Sequence, residues 1–213
     1  MTKKLIEAVC TANNGRSPLI ERIGRNHLIS IGANKDYDTI SSGTMVDAIN
    51  RNEYTFDQTE PFVNLALKRG NVFSRSQMNQ LSIAQKTGGI LGLYEDLFNI
   101  ALQRFVAEEH TNKSEAIERY EITGSIKEGK DQTVPRKDVV AVLPADKGNY
   151  NKVLSIYVPT EYTPTIAVLS QFATGNPNAQ IENAFGKSKE EYMTMVERML
   201  DDVPKAINRI VGA

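Results

Sequence analysis

The sequence predicts an α/β fold: a doubly wound open sheet of about four parallel strands with helices on both faces. Three observations predict it. The apolar runs at residues 4–9 and 138–144 have the continuous hydrophobicity of parallel strands buried on both faces. Around them, apolar residues recur at helical spacing, so strand and helix alternate along the chain. The first run also ends in a polar loop, residues 10–15, that leads at once into a helical pattern. That strand–loop–helix unit builds such sheets, and ligands bind at the carboxyl ends of their strands.

The 213 residues can bury a substantial core as one domain, 1–213, with an insertion or elaboration expected at about 84–136; two full domains would be cramped. With 40% hydrophobic and 24% charged residues, the composition argues against disorder and against a membrane protein. A formal net charge of −1 argues against a nucleic-acid partner held by bulk electrostatics. The single cysteine excludes an internal disulfide and a multi-cysteine metal site, and fits a reducing compartment. The apolar stretch after Lys3-Lys4 is short and broken by Glu7, unlike a signal peptide, and no run reaches the length of a membrane span. A cytoplasmic protein with no membrane partner is expected.

Residues 4–9 form the first strand. Ser17 is placed to cap the following helix, with Pro18 at its first position and Leu19, Ile20, Ile23 and Leu28 as its apolar residues. Residues 36–44 read as a short strand closed by a Ser/Gly turn. After a polar loop holding Glu60-Pro61, the residues Phe62, Leu65, Ala66 and Leu67 mark a helix stopped by Gly70. From Ile83 to Val106 the spacing of Ile90, Leu93, Tyr94, Leu97, Phe98, Ala101, Leu102 and Phe105 predicts one long amphipathic helix entered through Thr87-Gly88-Gly89. Residues 108–137 are charged and weakly patterned; they read as solvated surface, with Tyr120–Thr123 pairing across a turn near Gly129.

The strand at 138–144 restores the α/β pattern. A helix over 149–157, a short strand at 166–169 and a long polar loop, 174–186, follow it, the loop in the position of an active-site flap. Ser188 caps the last helix, with Glu190 and Glu191 in its first turn and Tyr192, Met195, Val196, Met199 and Leu200 as its apolar stripe. Pro204 is expected to kink or interrupt that helix, and Asp201-Asp202 to lie on a solvated face.

The loop after the first strand carries the chemistry. Backbone N–H groups of Thr11, Ala12, Asn13, Asn14 and Gly15 can point inward beneath a helix N-terminus, where the dipole adds positive potential, so the loop suits a phosphate. The same field favours a thiolate at Cys10, the candidate nucleophile. Arg16 offers a planar fork that can bind two equatorial phosphoryl oxygens. Asn13 and Gly15 tolerate the positive φ such a loop needs, and Ser17 can donate to the thiolate. A buried hydrophobic cysteine is the ordinary alternative, and Cys-x5-Arg alone is a common coincidence. The strand before the pair and the helix after it supply the context that raises it to a candidate site.

Four separated pieces resemble the low-molecular-weight protein tyrosine phosphatases. Val9-Cys10-Thr11-Ala12-Asn13-Asn14-Gly15-Arg16-Ser17-Pro18 is similar to the family's Cys-x5-Arg-Ser-Pro signature, and Ser41-Ser42-Gly43-Thr44 to its Ser-Ala-Gly-Thr. Residues 138–143 resemble the strand before its Met-Asp turn, and Glu182-Asn183-Ala184-Phe185-Gly186 its Asp-Pro-(Tyr/Phe)-Gly loop. The resemblance implies a Cys-dependent phosphomonoesterase. Cys10 would attack phosphorus to give a cysteinyl phosphate, Arg16 and the amides of Thr11 to Gly15 would hold the equatorial oxygens, Ser17 would stabilise the thiolate, and Ser41 would hold Asn13 in its strained conformation. It implies no metal and no cofactor, because amides and Arg16 supply the positive field, and a phosphorylated protein or small aryl phosphate as partner.

The sequence departs from the family pattern at three places. Ala12 stands where the family has glycine. Gly15 stands where a second cysteine often lies, so reversible protection of the nucleophile by that neighbour is absent. The family's general acid is the aspartate of Asp-Pro, and the matching residue is Asn183, followed by Ala184. An amide offers no titratable proton, and general acid catalysis contributes about 10²–10⁴-fold; Glu182, one position earlier, is the alternative donor. A phosphate- or phosphoprotein-binding module that lost turnover is therefore the second reading. Arsenate reduction on the same fold is the weaker third, since thioredoxin-coupled reductases need cysteines this chain lacks. Phe185, the chain leaving Thr44 through Met45, and the 84–136 segment are the expected walls around the cradle.

Overall fold

The computed structural model describes residues 2–53, 55–87, 90–124 and 131–213. Four parallel strands, β1 (Lys4–Cys10), β2 (Tyr37–Gly43), β3 (Val139–Pro144) and β4 (Thr165–Ile166), lie in the order β2-β1-β3-β4. The chain leaves β1 toward β2 on one side and returns to β3 on the other, so the connections diverge and leave a crevice at the carboxyl ends of β1 and β3. Cys10 ends β1, and Ala145-Asp146 follow β3 into that crevice.

Side-chain alternation along β1 feeds both faces of the sheet. Ile6 and Ala8 join the main core with Leu19, Ile20 and Ile23 of α1 (Arg16–Ser30), Leu169 of α7 (Leu169–Thr174), and Val196, Met199 and Ile207 of α8 (Lys189–Val211). On the opposite face Val9, Val139 and Val142 pack on Val153 and Tyr157 of α6 (Lys147–Tyr157). The doubly wound α/β architecture is thus the one the sequence predicts. After the short α2 (Val46–Asn50), three helices, α3 (Phe56–Arg69), α4 (Arg75–Thr87) and α5 (Ile90–Arg119), build a separate apolar cluster around Val63, Ala66, Leu97, Phe98 and Phe105.

Several elements differ from the sequence reading. The helix expected from Ile83 to Val106 is two, α4 ending at Thr87 and α5 starting at Ile90. α5 runs on to Arg119 through residues read as solvated surface, because this part of the helix also has a buried side: Glu109, Lys113 and Ala116 are buried. Tyr120–Thr123 form the turn after α5 and no strand, while Gly129 lies outside the described residues. α3 starts earlier than expected, at a capping box of Thr55 and Gln58, so Pro61 falls inside it. The strand read at 166–169 is confined to Thr165–Ile166, and Leu169 opens α7.

α8 continues past Pro204 as one helix; Val203, Ala206 and Ile207 are buried around it, and that burial outweighs the missing N–H. Ser188 caps α8 as expected, in a capping box with Glu191. Of the acidic pair, Asp201 is exposed and paired with Lys205, but Asp202 is fully buried and accepts from Arg198 Nε at 2.6 Å. Among the described residues, no helix is long and apolar enough to cross a membrane.

Candidate active site

Cys10 is buried at the end of β1, and its Sγ lies 3.0 Å from Ser17 Oγ. The structure corrects the expected cap: α1 has Gly15 at its N-cap with no side-chain cap hydrogen bond, and Ser17 turns inward instead. Its oxygen is also 2.9 Å from Asn13 Oδ1 and 3.1 Å from the Ser42 carbonyl. A hydroxyl has one proton to donate. With Cys10 as a thiol that proton can rest on Asn13 or Ser42; with Cys10 as a thiolate it can turn to sulfur.

Asn13 adopts φ 51°, a left-handed conformation that Asn tolerates better than most residues, and it is fully buried. Two contacts hold it there: Oδ1 accepts from Ser17, and Nδ2 donates to the Ser41 carbonyl at 3.3 Å. Ser41 therefore supports the loop through its main chain; its hydroxyl donates to Glu21 Oε2 at 2.6 Å. Gly43 lets the end of β2 approach, since a Cβ there would collide with the backbone of Asn13 and Thr11. Thr44 N and Met45 N then donate to the carbonyls of Cys10 and Thr11, both at 2.9 Å. Among the described residues, the N–H groups of residues 12–16 make no backbone hydrogen bond outside regular helix and strand, and the first turn of a helix leaves its own N–H groups unpaired.

Arg16 is 5% exposed. Its Nη1 donates to Asp146 Oδ2 at 2.6 Å and to the Ile181 carbonyl at 2.9 Å. Those two contacts use one end of a five-donor fork and leave the Nε–Nη2 edge for an anion. Asp146 also caps α6, accepting from Asn149 N at 2.8 Å, while Asn149 Nδ2 donates to Oδ2 at 2.9 Å. Burial alone would raise the Asp146 carboxyl, but the Arg16 charge and the donors from Asn149 and Arg16 outweigh it and hold it below the ordinary carboxylate range. Asn149 Oδ1 in turn accepts from Thr11 Oγ1 at 3.3 Å and Thr44 Oγ1 at 3.1 Å, tying the loops after β1, β2 and β3 together.

Thiol, helix-terminal N–H groups and guanidinium edge can together hold a tetrahedral oxyanion. No protein-family model matches the sequence, and no curated protein matches it. Solved structures do. A mutant of YwlE from Bacillus subtilis superposes with a TM-score of 0.54 at 13% identity, covering 98% of this chain and 99% of its own. A low-molecular-weight protein tyrosine phosphatase from T. tengcongensis gives 0.54 at 16% identity, with coverages of 97% and 99%. A protein tyrosine phosphatase from Entamoeba histolytica, with Hepes in its active site, gives 0.54 at 15%, with coverages of 99% and 98%. The chain has the low-molecular-weight phosphatase fold.

On that phosphatase fold, residues 182 and 183 make their side-chain hydrogen bonds within the flap. Glu182 and Asn183 are both exposed. Glu182 Oε1 accepts from Gln180 Nε2 at 3.0 Å, and Asn183 Oδ1 accepts from the Phe185 N–H at 3.3 Å, a local turn. Among the described hydrogen bonds, neither side chain reaches Cys10, Ser17 or Arg16. Phe185 meets Phe62 and Phe105 edge-on, each at 5.8 Å between centroids, so it anchors the flap to the α3–α5 layer.

Sequence reasoning missed Asp146, Asn149, Ile181, Glu109 and Lys113. An Asp two residues beyond a buried strand, with an Asn three further on, carried a signal for the first two: it is an N-cap at the carboxyl edge of the sheet. The other three left no local pattern.

Proposed function

We propose that the chain is a phosphomonoesterase of the tyrosine-phosphatase type acting through a cysteinyl-phosphate intermediate. The observation that carries this is Cys10 Sγ at 3.0 Å from a serine hydroxyl, at the floor of a loop that leads into the N-terminus of α1 with Arg16 in its first turn. The Cys10 thiolate attacks phosphorus and the bond to the leaving oxygen breaks, while the loop amides and Arg16 hold the equatorial oxygens. Water then attacks the cysteinyl phosphate, breaking P–S and returning thiolate and inorganic phosphate. A structure of this fold described as a YwlE arginine phosphatase mutant with a phosphorylated active-site serine, 12% identical, supports a covalent phosphoryl step. Because structures of this fold are described as tyrosine and as arginine phosphatases, both phosphorylated residues belong in the assay. A nucleophile that must stay reduced fits a cytoplasmic setting.

Protonation of the leaving group separates this reading from the second. Asn183 has no titratable proton and is committed to the flap turn, which favours a phosphate- or phosphoprotein-binding module. Glu182 serves as the acid if the flap turns its carboxylate away from Gln180. The test compares an aryl phosphate with a good leaving group against phosphotyrosine and phosphoarginine, in wild type, Glu182→Gln, Asn183→Asp and Cys10→Ser. Cysteine-dependent turnover is expected, with Glu182→Gln slowing poor leaving groups and Asn183→Asp raising them by about 10²-fold. Phosphopeptide capture without phosphate release would establish the binding module. Fast phosphotyrosine turnover indifferent to Glu182→Gln would refute the acid assignment.

A further inference from the structure

Two turns of α5 reach both sides of the site. Phe105 packs on Phe185 of the flap, and Glu108 pairs with Arg69, whose Nη1 also donates to the Gly186 carbonyl at 3.1 Å. Farther along the helix, Glu109 and Lys113, four residues apart and hence neighbours on one face, meet the loop itself. Lys113 is 3% exposed, and its Nζ donates to the Asn14 carbonyl at 2.7 Å. Glu109 is 8% exposed; its Oε2 accepts from Asn14 Nδ2 at 3.4 Å, and its carboxylate fills the space a Cβ on Gly15 would occupy. A side chain at 15 would have to displace that carboxylate.

Burying an ammonium is costly unless its partners compensate, and one of Lys113's partners is a loop carbonyl. The peptide between Asn14 and Gly15 is trans and planar, so the carbonyl that Lys113 holds fixes the Gly15 N–H in the opposite direction. Donation by a charged group to that carbonyl also polarises the peptide and strengthens its N–H as a donor. We propose that Lys113, together with Glu109, is a positioning residue of the phosphate loop, fixing the Asn14–Gly15 peptide with its N–H toward the oxyanion. This rests on the oxyanion-binding reading above; neither residue touches the substrate.

The test uses tungstate, a tetrahedral oxyanion, titrated calorimetrically into the full chain while the Gly15 amide is followed by NMR. Wild type is expected to bind with a downfield shift of the Gly15 proton. Lys113→Met should weaken binding about tenfold, the size of one supporting hydrogen bond, and shrink that shift, with Lys113→Arg restoring both. Lys113→Gln, which keeps a neutral donor, should fall between, and it serves if the Met variant does not fold. Unchanged affinity and an unchanged Gly15 shift in Lys113→Met or Lys113→Gln overturn the proposal. Failure of the wild type itself to bind tungstate would instead overturn the oxyanion site.

Discussion

Replacing Asp146 separates two tasks that one carboxylate performs. Its Oδ2 faces Arg16 at 2.6 Å and its Oδ1 caps α6 through Asn149 N at 2.8 Å. Asp146→Asn keeps a capping oxygen, since Asn caps as well as Asp, and puts an amide NH2 where Oδ2 accepts from Arg16 and Asn149, removing the charge and the acceptor opposite a guanidinium whose side chain is 6% exposed. Breaking a fully buried pair costs about 3–5 kcal/mol; Asp146 is itself 21% exposed and the Ile181 carbonyl remains, so about 2 kcal/mol is expected. Asp146→Ala loses the cap as well, for about 1 kcal/mol more. Urea unfolding followed by circular dichroism should show these two steps at an unchanged m value. Because the folded-state carboxyl is held low, its stabilisation is present above the ordinary carboxylate value of 3.8 and lost as pH falls through the depressed folded value. The gap between wild type and Asp146→Asn should therefore hold at neutral pH and close in acid. Equal stabilities at pH 7, or a gap that stays unchanged as the Asp146 carboxyl is protonated in acid, would refute the pairing as the reason for the arrangement.

Glu7 runs the opposite way. Burial pushes its carboxyl up despite donors from Ser42 and Tyr157, so its contribution to stability is full below the ordinary value of 4.5 and lost as pH rises through the raised folded value. Glu7→Gln should gain on wild type across that rise, measured as unfolding free energy against pH; a difference independent of pH contradicts this. Gly43→Ala drives a Cβ into the backbone of Asn13 and Thr11, where no flexible side chain can yield. It should cost about 2 kcal/mol and weaken tungstate binding; a variant that binds and melts as wild type does would show that β2 need not approach the loop so closely.

The parts of the fold legible in the sequence are those set by local pattern. β1 and β3 announce themselves by unbroken apolar runs, and the cradle by a polar loop caught between a strand and a helix. A serine at a helix start looks like a cap as well as a partner for the sulfur; Ser17 makes no cap hydrogen bond and lies beside Cys10 and the Ser42 carbonyl. The residues that orient Arg16 come from 130 and 165 positions away, so no window along the chain contains them. The second half of α5 is hidden from local pattern for a related reason. Glu109 and Lys113 look like a solvated charged face, yet both are buried against the loop. Asp202, buried on α8 beside an exposed twin, repeats the lesson.

The most direct measurement is acid-quench trapping of the protein incubated with an aryl phosphate, followed by peptide mass spectrometry. The expected result is one phosphoryl group on the peptide carrying Cys10, formed at the rate of the first step and absent from Cys10→Ala, which also loses turnover. Sustained release of phosphate by Cys10→Ala, or wild-type turnover with no phosphoryl group ever found on Cys10, would contradict it.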